Sequence, residues 1–443
     1  MASGKRRTLW ALPECFYHHH HLLPLRWPDQ VPTMDKIVLL RFTGEDRVGL
    51  TAALAAALSD LNAEILDINQ AVIHQSLLLG VMVRVDDETD FQEPISQLAS
   101  SLGLKVKVRQ VEDEGYDRWV DQQGKPRYIL TLLARSIHAS HLSAVTRIVA
   151  DEGLNIDVIH RLSGRPQRIE LPDAPRRACM EFWVRGQPQD KSRMQSRFMA
   201  LSRELAIDVA WQKDDAYRRS RRLVAFDMDS TLIQAEVIDE LAVEAGCGES
   251  VAAITEMAMR GEIDFDTSLR RRVATLKGLP ESTLRTVADR LQLTEGAEAL
   301  LANLRELGYR TAILSGGFSY FGNLLRERLG IDYVFANELE IVDGKMTGNV
   351  VGRIVNGQRK AELLEQIAVM EGINRRQVIA VGDGANDLPM LNRAGLGIAF
   401  HAKPIVREEA GQAVSNLGLD AILYLLGVRD RERLPVASGA EAG

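Results

Sequence analysis

The sequence between residues 223 and 232, LVAFDMDSTL, is an apolar run that ends in two acidic residues and a hydroxyl. The apolar part is short enough for a buried strand, and Asp227, Asp229 and Thr231 follow it at alternate positions. An ordinary strand end needs one Asp or Asn for its turn, so two carboxylates with a hydroxyl indicate a site. In open α/β sheets, ligands bind at the carboxyl edge of the strands. The pattern therefore predicts an α/β sheet with an acidic site at that edge.

The residues after this segment alternate short apolar runs with longer helical patterns, which favours a doubly wound parallel sheet. We predict its strands at residues 223–226, 311–314, 333–336, 378–381 and 397–400. A largely helical stretch, 236–290, separates the first two strands. Because it is too long for a simple crossover, we expect an inserted helical cap. Asp343-Gly344 predicts the tight turn of a β-hairpin.

Polar groups also stand at other predicted strand ends and at one helix start. The sequence SGG at 315–317 offers a hydroxyl and flexible amides that can surround phosphate oxygens. The sequence GDGAND at 382–387 supplies a second acidic loop at the same edge. Lys360 opens a helix predicted at 360–371, where a cation opposes the helix dipole. Neutralising a phosphoryl group would explain its position.

Electrostatics indicates which of these residues must cooperate. A carboxylate that attacks a phosphate dianion is repelled by about 4 kcal/mol per charge pair, at about 4 Å and an effective dielectric constant of about 20. A divalent cation and a lysine would reverse that sign, and Mg²⁺ prefers oxygen ligands. We therefore predict Mg²⁺ on Asp227, Asp383 and a backbone carbonyl near Asp229.

Each of these residues then has an expected role in phosphoryl transfer. Asp227 would attack phosphorus. Asp229, with a pKa raised by the surrounding negative charge, would protonate the departing alcohol and later activate water. Ser315, Gly316 and Lys360 would stabilise the phosphoryl oxygens. Each motif alone has an ordinary explanation as a turn, a loop or a surface lysine, but their common order favours a catalytic site.

This order of residues resembles the haloacid dehalogenase superfamily of phosphotransferases, which have a Rossmann-type core. Within it, the stretches FDMDSTL, LSGGF and VGDGAND are similar to those of the phosphoserine phosphatases. The resemblance implies Asp227 as nucleophile, Asp229 as proton donor, and Mg²⁺ on Asp227, Asp229 and Asp383. It also implies Asn386 in the phosphate or metal environment. The implied reaction is hydrolysis of O-phospho-L-serine to L-serine, the last step of L-serine biosynthesis.

Phosphoserine carries an ammonium and a carboxylate besides its phosphate, so its pocket needs an acid and a cation away from the metal. The resemblance points to Glu236 for the ammonium and Arg272 for the carboxylate, which an arginine fork binds with paired hydrogen bonds. From the residues alone, any arginine of 270–272 fits this role, and both predicted residues also fit solvated helix positions. Met259 and Phe265 would line the apolar wall or belong to the core.

Residues 36–110 and 128–211 each have the order strand, helix, strand, strand, helix, strand, which is an internal repeat of roughly 90 residues. The two units resemble tandem ACT domains, ferredoxin-like α+β modules that bind amino acids at subunit or domain interfaces. This resemblance implies a homodimer formed through the ACT domains, with L-serine as an effector.

One loop of the first repeat matches the ACT pattern. Gly44, Asp46 and Gly49 would hold an amino-acid zwitterion there; the alternative is a tight turn in which Asp46 caps the next helix. The second repeat lacks both glycines in residues 134–141. We expect scaffolding or dimerisation from that unit.

These patterns divide the 443 residues into predicted segments. They are an extension at 1–33 that is disordered or precedes the true start at Met34, ACT domains at 34–112 and 126–212, a phosphatase domain at 221–430 with its cap at about 236–295, and a disordered tail at 431–443. Linkers are expected at 112–125 and at 214–222, the latter basic and solvated.

Composition excludes several classes of protein. A formal charge of −7 gives no electrostatic reason to expect nucleic acid or an anionic membrane as partner. We find no apolar span of about 18 residues, so no membrane helix is predicted. Cys15, Cys179 and Cys247 are scattered and form no C-x-x-C pair. A cytoplasmic protein without disulfides is therefore expected.

Two alternative functions stay open at this point. The first is a related phosphatase, or a phosphotransferase that passes phosphate from Asp227 to another small alcohol such as homoserine. The second is a non-catalytic amino-acid sensor that keeps a phosphatase fold beneath its ACT domains.

Overall fold

The structure, a computed structural model, describes residues 35–165 and 176–434. The predicted extension with Met34 and Cys15, and most of the predicted tail, lie outside these residues. The strands are β1 (Asp35–Glu45), β2 (Glu64–Ile73), β3 (Ser76–Asp86), β4 (Lys105–Val111), β5 (Arg127–Ala134), β6 (Asn155–Arg161), β7 (Ala178–Arg185), β8 (Asp208–Lys213), β9 (Leu223–Phe226), β10 (Arg310–Phe318), β11 (Tyr333–Val342), β12 (Lys345–Val351), β13 (Val378–Gly382), β14 (Leu396–Phe400) and β15 (Ala413–Val414).

The helices alternate with these strands along the chain. They are α1 (Leu50–Asp60), α2 (Gln92–Ser101), α3 (Asp113–Gln123), α4 (Ala139–Asp151), α5 (Lys191–Leu205), α6 (Val237–Glu244), α7 (Gly248–Met259), α8 (Phe265–Ala274), α9 (Ser282–Arg290), α10 (Ala297–Glu306), α11 (Ser319–Leu329), α12 (Gly357–Met370), α13 (Leu388–Arg393), α14 (Pro404–Ala410) and α15 (Ile422–Leu425). None of the helices in the described part of the chain combines the length and apolarity needed to cross a membrane. The described residues divide into two compact units, with the boundary between Gly124 and Lys125.

The first unit contains a four-stranded antiparallel sheet in the order β2-β3-β1-β4. Alternate residues of β3 are buried, as expected for a sheet with one face on the core. Helix α1 buries Leu50, Leu54 and Leu58, which recur every fourth residue and so share one face. The linker predicted at 112–125 contains the helix α3, none of whose residues is buried.

The second repeat builds a sheet of the same kind, in the order β6-β7-β5-β8. This order is that of the first sheet, strand for strand. The predicted βαββαβ repeat is therefore confirmed, with helices α4 and α5 packed on the sheet around Leu130, Leu132 and Phe182.

A seven-stranded sheet forms the centre of the second unit, in the order β12-β11-β10-β9-β13-β14-β15. The five predicted strands are present and parallel to one another. All four residues of β9 are buried, which is typical of a strand covered by helices on both faces. Strand order reverses between β9 and β13, so the crevice of this doubly wound sheet lies after those two strands.

The predicted helical insertion is present as α6 to α9. It lies against a hairpin of β11 and β12, whose turn at Asp343 and Gly344 has φ angles of 50° and 69°. Asp-Gly supplies the positive φ that this turn requires. Gly278, between α8 and α9, donates to the Met346 carbonyl at 2.8 Å. The cap is thus fixed to the hairpin as well as to the sheet.

Within the second unit, the edge strand β8 lies beside the edge strand β15. The side chain of Gln412, directly before β15, accepts from the Trp211 amide at 2.7 Å and donates to the Trp211 carbonyl at 2.6 Å. The buried Asp208 carboxylate accepts from the amides of Ser415 and Asn416. These contacts join the second repeat to the large sheet.

The basic connector at 214–222 is not simply solvated. Arg218 is only 8% exposed and pairs with Glu181 of β7 at 2.7 Å. Arg221 donates to the Arg376 carbonyl at 2.6 Å. The connector is therefore held against both the second repeat and the large sheet.

Candidate active site

The loop after β9 carries the first two predicted acids. Asp227 continues directly from the strand, and its amide donates to the Val381 carbonyl of β13 at 2.9 Å. Its Oδ1 accepts from the Met228 amide at 2.8 Å. Ser230 adopts a left-handed φ of 54°, which is uncommon for a residue with a side chain. The chain thus turns sharply and holds Asp227 and Asp229 at the carboxyl edge of the sheet.

Lys360 lies in the interior of the site. Helix α12 begins at Gly357, three residues earlier than predicted, and Asn356 caps it by accepting from the Arg359 amide. Lys360 is 0% exposed, and its Nζ lies 2.8 Å from Asp227 Oδ1 and 2.7 Å from Asp387 Oδ1. The alternative of a surface lysine is therefore wrong.

The net effect of burial and neighbouring charges is to raise the pKa values of the lysine and of the carboxyl groups in this site. Burial opposes the charge of Lys360, but the two carboxylates outweigh it and raise its pKa. The pKa of Asp227 is raised well above its usual range, first by burial and then by the neighbouring Asp387. Burial and Asp387 likewise raise the pKa of Asp383 to about 7. One buried cation thus faces an excess of carboxylates.

These carboxylates form a cluster suited to a metal ion. One oxygen each from Asp227, Asp383 and Asp387 lies within 4.8 Å of the others, and this is the one such group found in the described residues. Thr231 donates to Asp383 at 3.2 Å and holds it in place. Asp227 and Asp383 come together as the sequence predicts. Asp387, which ends the GDGAND loop but has no predicted role, joins them.

The Asp229 side chain, predicted as a metal ligand from family resemblance, is not part of this cluster. Its Oδ1 accepts from the Val237 amide at 3.0 Å, and its Oδ2 lies 3.5 Å from Ser315 Oγ. Burial, followed by the charge of Glu236, raises its pKa to about 8. The carboxyl is therefore held beside Ser315 with a raised pKa. Its role as proton donor, and a ligand role for its backbone carbonyl, stay predictions.

The predicted phosphate loop is an irregular end of β10. Ser315 is buried and its Oγ accepts from the Gly317 amide at 2.9 Å. A Cβ on Gly316 would lie 2.8 Å from Phe265 Cζ, and one on Gly317 would overlap the Asp229 carboxylate. Gly316 and Gly317 must therefore be glycines, because Phe265 and Asp229 approach their backbone too closely for a side chain.

A residue that the sequence analysis missed supports this loop. Asn337 is 3% exposed, and its Nδ2 donates to the Gly316 carbonyl at 2.8 Å. Its Oδ1 accepts from the Val355 amide at 2.8 Å. An asparagine directly after the strand predicted at 333–336 was the available signal, since a buried amide side chain needs such partners.

A cavity of about 640 Å³ joins the sheet edge to the cap. Its lining includes most of the predicted residues, namely Asp227, Asp229, Glu236, Met259, Phe265, Arg272, Gly316, Asp383 and Asn386. Ser315 and Lys360 are fully buried and do not belong to the lining. The structure thus brings the predicted acids, the phosphate loop and the cap residues to one cavity.

Of the three candidate arginines in the cap, one lines the cavity. Arg272 lines the cavity and is half-buried, whereas Arg270 and Arg271 are exposed and lie outside the lining. Burial lowers the pKa of Arg272, and Asp239 is the main carboxylate that opposes this shift. Glu236 accepts from the Ser230 hydroxyl at 2.8 Å. An arginine and acids therefore stand together on the cap side.

In the predicted ligand loop of the first unit, the local backbone explains why Gly44 and Gly49 are glycines. A Cβ on Gly44 would lie 2.6 Å from Leu104 Cδ2, and Gly49 has a φ of 92° at the N-cap of α1. Asp46 is exposed, and no side chain caps this helix, so the capping alternative is wrong. A cavity of about 580 Å³ on the sheet of this unit does not include these three residues.

Comparison with known proteins agrees with this architecture. A family model described as haloacid dehalogenase-like hydrolase matches residues 221–395. Models described as ACT domains match residues 36–109 and 127–212. The crystal structure of a HAD-family hydrolase from Salmonella enterica serovar Typhi is 31% identical and covers 67% of this chain and 98% of its own, with a TM-score of 0.58.

Two relatives are similar along nearly the whole chain. Phosphoserine phosphatase SerB2 of Mycobacterium tuberculosis is 41% identical over 92% of this chain and 96% of its own length. The phosphoserine phosphatase of Streptomyces coelicolor is 40% identical over 91% of this chain and 94% of its own. The chain therefore belongs to the phosphoserine phosphatases, a family of haloacid dehalogenase-like hydrolases.

Proposed function

We propose that the protein hydrolyses O-phospho-L-serine to L-serine and phosphate through an aspartyl-phosphate on Asp227. The observation that carries this proposal is the fully buried Lys360 between Asp227 and Asp387, directly behind a cavity shared with Arg272 and Glu236. A buried cation between two carboxylates orients the nucleophile, while the cap side offers charges complementary to an amino acid.

The contacts of Asp227 support its role as the nucleophile. Lys360 and the Met228 amide both bind Oδ1 of Asp227, which leaves Oδ2 to attack phosphorus. As the bond from Oδ2 to phosphorus forms, the bond from phosphorus to the seryl oxygen breaks. Asp229, which holds a proton at neutral pH because its pKa is about 8, donates that proton to the seryl oxygen. The resulting carboxylate then takes a proton from the water that hydrolyses the aspartyl-phosphate.

The donor set fits a magnesium ion. Asp227, Asp383 and Asp387 supply only carboxylate oxygens, and Lys360 compensates one of their charges. We propose that Asp227 and Asp383 hold Mg²⁺, because both carboxylate oxygens of Asp387 already accept hydrogen bonds, Oδ1 from Lys360 and Oδ2 from the Gly384 amide. The ion would neutralise negative charge on the phosphoryl group and the carboxylates.

Removal of the metal provides the direct test of this site. With Mg²⁺, purified protein is expected to release phosphate from O-phospho-L-serine faster than from O-phospho-L-threonine or other phosphate esters. An excess of EDTA should lower turnover by about a hundredfold or more, since several kcal/mol of charge stabilisation are lost. Added Mg²⁺ should restore it. Full turnover in EDTA, or no release with Mg²⁺, would contradict the proposal.

The alternative of transfer to a second alcohol is separable in the same assay. If homoserine accepted the phosphoryl group, its addition would lower phosphate release while substrate consumption continued. The non-catalytic sensor is disfavoured because the acids, Lys360 and the phosphate loop occur together at one cavity.

We also propose regulation by L-serine and a homodimer formed through the ACT domains. Strand β2 is an edge strand, and Ile65, Ile68 and Ile73 are exposed on it. Exposed apolar side chains on a sheet edge favour pairing with another chain. A cytoplasmic location stays a prediction.

Titration of L-serine against activity tests the regulation, with Gly49→Val as the comparison. Valine disfavours the φ of 92° at this position, so the variant should respond more weakly than the wild type. Equal responses, or none, would count against binding at the loop. Light scattering gives the mass in solution, and a monomer would contradict the dimer.

A further inference from the structure

An unpaired hydroxyl lies in the wall of the catalytic cavity. Ser268, on cap helix α8, lines the cavity and is 1% exposed. Its Oγ has no hydrogen-bond partner among the described residues. Buried polar side-chain atoms are nearly always paired, so an unpaired one needs an explanation.

The ordinary explanation for a helical hydroxyl does not apply to Ser268. Such hydroxyls usually bond to the carbonyl four residues earlier. Thr255, which lines the same cavity, does so by donating to the Val251 carbonyl at 3.0 Å. In Ser268, the backbone amide bonds the Asp264 carbonyl while the hydroxyl stays free. The Ser268 hydroxyl is therefore available to a ligand.

The position of Ser268 relative to Arg272 indicates which part of a ligand it meets. The two residues are four apart on α8, so they share one face of the helix with their Cβ atoms about 5–6 Å apart. Arg272 Nε also lacks a partner among the described residues. Two neighbouring unpaired donors on one face match the two oxygens of a carboxylate.

We propose that Ser268 is a specificity-determining residue that donates a hydrogen bond to the carboxylate of the substrate, beside Arg272. This proposal rests on the proposed function and names one contact within it. The phosphate is bound at the sheet edge, whereas Ser268 belongs to the cap and contacts the amino-acid end. The substrate class that Ser268 selects is phosphate esters with a free carboxylate.

Paired substrates isolate this contact. O-phospho-L-serine has the carboxylate, and O-phosphoethanolamine is the same molecule without it. In Ser268→Ala, the ratio of kcat/KM for phosphoserine to that for phosphoethanolamine is expected to fall about tenfold, because a hydrogen bond to a charged group is lost. Ser268→Cys, of similar size with a weak donor, should fall in between. Ser282→Ala, an exposed serine of α9 outside the cavity, is the matched control.

Thermal unfolding separates this role from a structural one. Removing an unpaired buried hydroxyl should leave the Tm of Ser268→Ala unchanged or higher. An unchanged substrate ratio, or a lower Tm with equal losses on both substrates, would overturn the assignment to Ser268 while leaving the proposed function intact. If the wild-type protein with Mg²⁺ released no phosphate from phosphoserine, both proposals would fall.

Discussion

Replacing Lys360 with methionine is expected to destabilise the second unit and to abolish most turnover. Without Nζ, the buried carboxylates of Asp227 and Asp387 lose the cation that pairs with both. Breaking a buried ion pair by removing one partner costs about 3–5 kcal/mol. The free energy of unfolding, measured by denaturant titration without metal, should fall by that amount. Turnover should fall by at least about a hundredfold, since phosphoryl charge is no longer stabilised.

Two further variants test whether these losses come from the unpaired carboxylates. Lys277→Met removes an exposed lysine of the cap and should change neither quantity appreciably. Adding Asp387→Asn to Lys360→Met removes one of the two unpaired carboxylates. The free energy of unfolding should then partly recover, while turnover should not. If Lys360→Met had the same free energy of unfolding as the wild type, the ion pairs of Lys360 with Asp227 and Asp387 would contribute less to stability than their burial indicates.

Asp227→Asn is expected to lose turnover by at least about a thousandfold while the protein stays folded. The amide oxygen can still accept from the Met228 amide and from Lys360, as Oδ1 does in the native site. The amide nitrogen that replaces Oδ2 cannot attack phosphorus. Phosphate release measures turnover, and acid quenching with labelled substrate should trap phosphoprotein in the wild type alone.

The matched control for this variant is Asp289→Asn. Asp289 forms an exposed pair with Arg285 on α9, and such pairs contribute little. Its turnover should equal that of the wild type. A labelled phosphoprotein in Asp227→Asn would show that another residue is the nucleophile.

Much of the fold was predictable because local patterns record it. The five parallel strands of the large sheet are short apolar runs in the sequence. Asp343-Gly344 has the composition of the tight turn between β11 and β12. Strand β15 and helix α3 were harder to predict. Strand β15 has only two residues, and α3 buries none, so neither carries a strong periodic signal.

The sequence by itself determined which acids share one edge, because Asp227 and Asp383 each follow a strand of a parallel sheet and such ends must meet. Tertiary structure alone decided the burial of Lys360 against Asp387, the choice of Arg272 among its neighbours, and the free hydroxyl of Ser268. These properties depend on which elements pack around a side chain. Packing between segments distant in sequence leaves no periodic or turn signal in the residues themselves.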